Sequence, residues 1–199
     1  GYWIETPADV MPVITSEADR YSKYPSFAEN FEEYSVGTSF TNDTALPKAC
    51  WEVTGSALSV QADGSNKALA LTGTATLKNV KLPQNITAGD SYAKQQAWEV
   101  SFTLPAGLSS NAELKLLTCT NSDGGIKIAD GKFYYDNAGA YQELSGVSLS
   151  AGKYTVKREV DFRTLGVFTC NYAIYNSAGN LLGEAKNIPM GSVSLPVNA

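Results

Sequence analysis

The chain contains no histidine. That removes the commonest general base, the one side chain that titrates unperturbed near neutral pH, and the commonest metal ligand. Nucleophilic triads that use histidine as the base are excluded with it. Cysteine is scarce: Cys50, Cys119 and Cys170, at spacings that fit no zinc pattern. Two readings of them stay open. All three are buried small hydrophobes, or Cys119 and Cys170, both placed mid-strand by their neighbours, join as a disulfide between adjacent strands in an oxidising compartment. Charge is scarce too. Asp, Glu, Lys and Arg make up 18% of the 199 residues, below the usual quarter. The 15 basic and 20 acidic residues leave a net charge of −5, and the densest basic stretch is only Lys153-Tyr-Thr-Val-Lys157-Arg158. Phosphate binding needs a positive footprint, so the chain is not expected to bind nucleic acid or an anionic membrane surface. A long apolar run is also missing. Leu165 to Gly183 carries no charge and is long enough for a spanning helix, but Asn171, Asn176, Ser177, Gly179 and Asn180 interrupt it. No membrane insertion is expected.

What the chain has is apolar alternation. Lys153 to Gly183 reads as two long strands closed by a loop at Asn176–Asn180. The first carries Tyr154 and Val156 and then, after a shift of phase, Val160 and Phe162; the second carries Phe168, Cys170, Tyr172 and Ile174. Alternation of this kind gives each strand one buried and one wet face. Trp98, Val100, Phe102 and Leu104 alternate in the same way, and Trp51 and Trp98 both read as core residues. Asp130-Gly131 is a two-residue hairpin signal between Ile126–Ile128 and Phe133–Tyr135, and Asp63-Gly64-Ser65-Asn66 marks another turn. About a dozen short strands with short turns and almost no helical period predict an all-β antiparallel sandwich.

Residues 1–26 read as an N-terminal extension or linker lying on the domain, with an integral first strand as the alternative; a short strand at Met11–Thr15 and a capped helical turn at Ser16–Ser22 are its candidate contents. Residues 27–190 read as the sandwich and 191–199 as a C-terminal tail or linker. The opening GYWIETP has no charged and apolar signal region, and the expectation is a fragment of a longer protein.

The order of the pieces resembles the concanavalin A-like lectin/glucanase jelly rolls, laminin-G-like modules included. The pieces are Glu29–Phe40 (ENFEEYSVGTSF), Trp51–Gly55 (WEVTG), Trp98–Leu104 (WEVSFTL), the hairpin Ile126–Tyr135 (IKIADGKFYY), Leu149–Phe162 (LSAGKYTVKREVDF) and Tyr172–Glu184 (YAIYNSAGNLLGE). The resemblance implies a two-sheet antiparallel jelly-roll β-sandwich, in a superfamily that includes carbohydrate-binding modules, lectins, glycoside hydrolases, polysaccharide lyases and adhesion modules. It also implies a structural calcium between the first and last strands, with Glu29 or Glu32 and Asp161 as candidate ligands beside backbone carbonyls, because calcium takes hard oxygens.

Catalytic strings are missing. Retaining glycosidases hold two carboxylates about 5 Å apart, and glucanase members of the family resembled set them on one strand as Glu-x-Asp-x-(x)-Glu. The nearest pair here is Glu159-x-Asp161, read as a solvated pair beside Lys157. The lyase apparatus of the superfamily needs a histidine the chain lacks. Sugars offer apolar C–H faces and rings of hydroxyls, which proteins meet with aromatic planes and amide or acid side chains. Lys132–Tyr141 (KFYYDNAGAY) supplies both. Tyr134, Tyr141 and Tyr175, with Asp136 and Asn137, form the candidate ligand platform; the alternative is that these tyrosines only cover the sheet. The function expected is a non-catalytic module that binds a polysaccharide or glycan, with other domains of the same chain as neighbours, on a secreted or cell-surface protein, extracellular and of bacterial type. The alternative is a structural or adhesion module with no sugar ligand.

Overall fold

The computed structural model describes residues 30–40, 51–56, 58–79, 95–116, 125–164 and 167–189. The expected extension, its strand and helical turn, and the C-terminal tail lie outside these residues, as do Glu29, Cys50 and Cys119. The described chain is all-β: β1 (Ser39–Phe40), β2 (Trp51–Gly55), β3 (Leu58–Asp63), β4 (Asn66–Leu71), β5 (Ala75–Asn79), β6 (Gln95–Leu104), β7 (Glu113–Leu116), β8 (Ile126–Ala129), β9 (Lys132–Asn137), β10 (Ala140–Ser148), β11 (Gly152–Thr164), β12 (Val167–Asn176) and β13 (Leu181–Pro189). Every strand pairing is antiparallel. The described residues divide into two compact units, one holding β1–β5 and the other β6–β13.

In the first unit β1, β3 and β4 form one sheet in the order β1-β3-β4, and β2 pairs with β5. The β3–β4 hairpin closes with Asp63 opposite Asn66. Its two-residue loop opens on Gly64 at φ +65°, a backbone region that favours glycine. Tyr34, Phe40, Leu58 and Val60 are buried together. Phe40 meets the rings of Phe31 and Tyr34 edge-on, at 5.6 and 5.0 Å between centroids, the arrangement that ring quadrupoles favour.

The second unit is a sandwich of two four-stranded sheets, in the orders β10-β9-β8-β7 and β13-β12-β11-β6. Alternation decides which side chains fill it. Ile126 and Ile128 of β8 and Phe133 and Tyr135 of β9 are buried from one sheet; Tyr154, Val156 and Val160 of β11 and Cys170, Tyr172 and Ile174 of β12 are buried from the other, and all belong to one core. The Asp130-Gly131 turn is a tight two-residue loop with φ of +48° and +67°, as the hairpin signal predicts. On β11 the predicted shift of phase does not occur. The inward row runs Tyr154, Val156, Arg158, Val160, and Arg158 is 2% exposed. Its Nε donates to Cys170 Sγ at 3.1 Å, while the aliphatic stem can lie against apolar neighbours. Cys170 is a free, buried thiol, not half of a bridge. Burial pushes its pKa up, against the opposing pull of the Arg158 charge.

The sandwich is closed along one side. There β10 lies against β13. A bulge in β10 between Glu143 and Ser148 brings both Leu144 and Val147 onto the core, three residues apart instead of two. They fill the space over Gly183, where an added Cβ would come within 2.5 Å of Val147 Cγ2. On the opposite side, among the described residues, the sheets end at β6 and β7.

Candidate functional site

Outward-facing residues follow from the same alternation. Across the sheet β7–β10 the register sets Lys115 opposite Lys127, Lys127 opposite Tyr134, and Tyr134 opposite Glu143. One cross-strand row therefore crosses four strands on the face away from the core. Tyr141 stands two residues before Glu143 on the same strand and face. The Lys127 ammonium lies 4.6 Å from the Tyr134 ring centroid and 5.2 Å from that of Tyr141, close enough for the ring quadrupoles to attract it. Its side chain is only 22% exposed, and Glu113 approaches it at 3.9 Å while also pairing with Lys115 at 3.4 Å. Lys132 meets Glu143 at 2.9 Å. The hydrogen bond to that carboxylate, then its charge, raises the Lys132 pKa. The result is two half-buried tyrosine rings joined by one cation and rimmed by paired acids and bases.

The structure thus brings Tyr134 and Tyr141 together and separates the other predicted platform residues. Asp136 stands opposite Tyr141 but is 5% exposed. Its backbone N–H donates to Gly125 O at 3.0 Å and its carbonyl accepts from the Tyr172 hydroxyl at 3.0 Å. Buried in this way, it is not an exposed ligand. Asn137 lies in the opposite phase of the hairpin, and its Nδ2 donates to Gln142 Oε1 at 2.7 Å. Tyr175 is on the outer face of the other sheet. There Lys157 lies 5.5 Å from its ring centroid and pairs with Glu99 at 2.9 Å, which raises the Lys157 pKa through the Glu99 hydrogen bond. Ser101 and Thr155 share a hydroxyl hydrogen bond of 2.8 Å on that same face. Tyr134 and Tyr175 therefore point away from each other on opposite sides of the sandwich.

Lys127 is the residue the sequence reading missed. The signal was present: Lys127 sits between inward Ile126 and Ile128, and the two-residue Asp130-Gly131 turn fixes it opposite Tyr134.

The predicted calcium ligands do not converge in the described residues. Glu29 lies outside them. Glu32 belongs to the first unit, where its Oε1 accepts from the Lys67 backbone N–H at 2.7 Å and Lys67 Nζ donates to its carbonyl at 2.6 Å. Asp161 is on β11 in the second unit. Among the described residues no group of three or more His, Cys, Asp or Glu could hold a metal ion. Glu159 and Asp161 share the outer face of β11, with Glu159 exposed. At one end of the sandwich a recess of about 260 Å³ opens between the β6–β7 loop, the β8–β9 turn and Leu149–Ala151. Small residues line most of it, and its one charged lining residue is Asp130.

Among the described residues no helix is long and apolar enough to cross a membrane. Comparison with family models, with curated proteins and with solved structures finds no match to this chain.

Proposed function

We propose that the β6–β13 unit is a non-catalytic carbohydrate-binding module of a larger secreted or cell-surface protein, and that it binds a polysaccharide or glycan across the outer face of the β7–β10 sheet. The observation that supports this reading is the pair Tyr134 and Tyr141 held on one open face by Lys127. Two rings at a fixed spacing suit the apolar faces of successive sugar residues, and Lys115, Lys132, Glu113 and Glu143 at the rim suit their hydroxyls. The jelly-roll winding and the likeness to concanavalin A-like modules belong to the same proposal, as does extracellular placement.

The test is a polysaccharide screen by affinity electrophoresis, followed by calorimetry, on the 199-residue chain with and without calcium. Saturable binding without release of reducing ends is expected. Tyr134→Ala and Tyr141→Ala are each expected to weaken it by roughly tenfold or more, as loss of a central aromatic does. Tyr175→Ala, on the far face, is expected to leave it unchanged. Binding lost through Tyr175 but kept without Tyr134 would move the site to the other sheet. No binding to any polymer would favour the structural or adhesion reading, for which the ion-paired rim of this face is only a well-solvated surface.

A further inference from the structure

The four sheet edges of the second unit are not equivalent. Edge strands expose unpaired backbone groups, and proteins blunt them with bulges, short strands, charges or proline. β10 carries the bulge between Glu143 and Ser148 and lies against β13. β13 has two register breaks and ends on Pro189. β7 has four residues, two of them charged, Glu113 and Lys115. β6 has none of these devices. It has 10 residues, pairs with β11 in unbroken register from Leu104 to Gln95, and contains no proline. Its single charge, Glu99, is tied to Lys157 on the neighbouring strand at 2.9 Å. Among the described residues its one strand partner is β11.

The apolar side chains beneath this edge are partly buried. Trp98, Val100 and Phe102 of β6 and Leu114 and Leu116 of β7 pack against the core but are partly exposed. These five apolar side chains lie on the side where, among the described residues, β6 and β7 have no further strand partner. We propose that β6 is a strand-addition edge through which two copies of this chain pair, β6 against β6, as an antiparallel dimer.

The strand's own sequence selects the second copy and the register. Inward residues must meet inward residues, because a one-residue slip would reverse the faces. Two allowed registers give the longest overlap, centred on Glu99 or on Val100. The first sets Glu99 opposite its own copy, and like charges directly opposite are unfavourable. The second sets Val100 opposite Val100, Trp98 opposite Phe102 twice, and Glu99 opposite Ser101 twice. Apolar then meets apolar on the inner face, polar meets polar on the outer, and the two sheets become one continuous sheet with a two-fold axis.

Sedimentation equilibrium of the full 199-residue chain across micromolar concentrations tests this. A reversible monomer–dimer equilibrium is expected. Ser101→Glu sets two acid–acid pairs across the two-fold axis and is expected to weaken the dimer about tenfold. Ser101→Lys sets two Lys–Glu pairs in the same places and is expected to tighten it. Ser101 is exposed on the outer face, and circular dichroism melts of both variants at dilute concentration check that the monomer still folds. A chain that stays monomeric throughout overturns the proposal. So does a dimer that ignores both substitutions or responds to both in the same direction.

Discussion

Replacing Tyr172 by Phe removes one buried hydroxyl and leaves the ring. Tyr172 is 1% exposed, its ring lies 5.3 Å from that of Tyr135, and its hydroxyl donates to the Asp136 carbonyl at 3.0 Å. The ring of Phe occupies the same place, so the loss is the donor. A buried acceptor deprived of its partner costs roughly 1–2 kcal/mol. For a chain of this size that is a fall in Tm of about 2–8 °C. Urea unfolding followed by near-UV circular dichroism is expected to show a lower midpoint at unchanged slope. The pH dependence gives a second readout. Burial first, then the neighbouring Cys170, raises the folded-state pKa of Tyr172 well above its ordinary value of 10.0. A raised acid keeps its proton when folded, so its stabilisation is complete below about pH 10 and is lost as the pH climbs above it. Above that point the parent loses up to about 1.4 kcal/mol per pH unit, and the Phe variant lacks this loss. Cys170, also raised by burial, titrates in both proteins and largely cancels in the difference. The gap in stability is therefore flat from pH 6 to 9 and closes about one unit above pH 10. A gap that stays constant through pH 11, or a cost below about 0.3 kcal/mol, would refute the placement of this hydroxyl in a dry core.

Two further substitutions test the packing. Gly183→Ala forces a Cβ against Val147 and Leu144 and is expected to destabilise by about 1–3 kcal/mol, as overpacking does; a neutral result by urea titration would mean that β10 and β13 do not close the sandwich. Arg158→Ala removes a long stem and a charge from the core and is expected to cost about 2–4 kcal/mol, while Arg158→Met, which keeps the volume, costs clearly less. Equal costs in chemical denaturation would show that the guanidinium, not the stem, carries the effect.

Much of the sandwich was legible because period-2 patterning needs no tertiary information. Ile126, Ile128, Phe133 and Tyr135, and likewise Cys170, Tyr172 and Ile174, are inward as their spacing requires. Arg158 broke the pattern. A charged residue in the inward phase reads as a break between Val156 and Val160, and nothing local shows that a sulfur waits at 3.1 Å across the strand pair. Asp136 failed for a related reason: an acid next to a turn reads as exposed, yet it is buried directly after buried Tyr135. The platform was half legible. The hairpin turn sets Tyr134 against Lys127, a local relation. Tyr175 was misgrouped because its place depends on which sheet β12 joins. β11 follows β10 in the chain but pairs with β6 and β12 in the opposite sheet; Tyr175 is out of phase with inward Tyr172 and Ile174, and period 2 does not show which sheet a strand joins.

The two proposals together imply a third result. A β6–β6 dimer has its two-fold axis perpendicular to the joined sheet, so both β7–β10 sheets lie on the same side of it. The two tyrosine faces then point in the same direction, one from each copy. A polymer long enough to reach both gains from the second contact without any new interaction, because the second site is presented at high effective concentration. A short oligosaccharide cannot reach both. Ser101→Glu is expected to lower affinity for a long polymer by about tenfold or more while leaving a short oligosaccharide unaffected, since Ser101 is on the sheet opposite to the tyrosines. Calorimetry with both ligand lengths separates the causes. Equal losses for both lengths would mean that the substitution damages the binding face itself. No loss for either would mean that the copies bind independently, whatever their state of association.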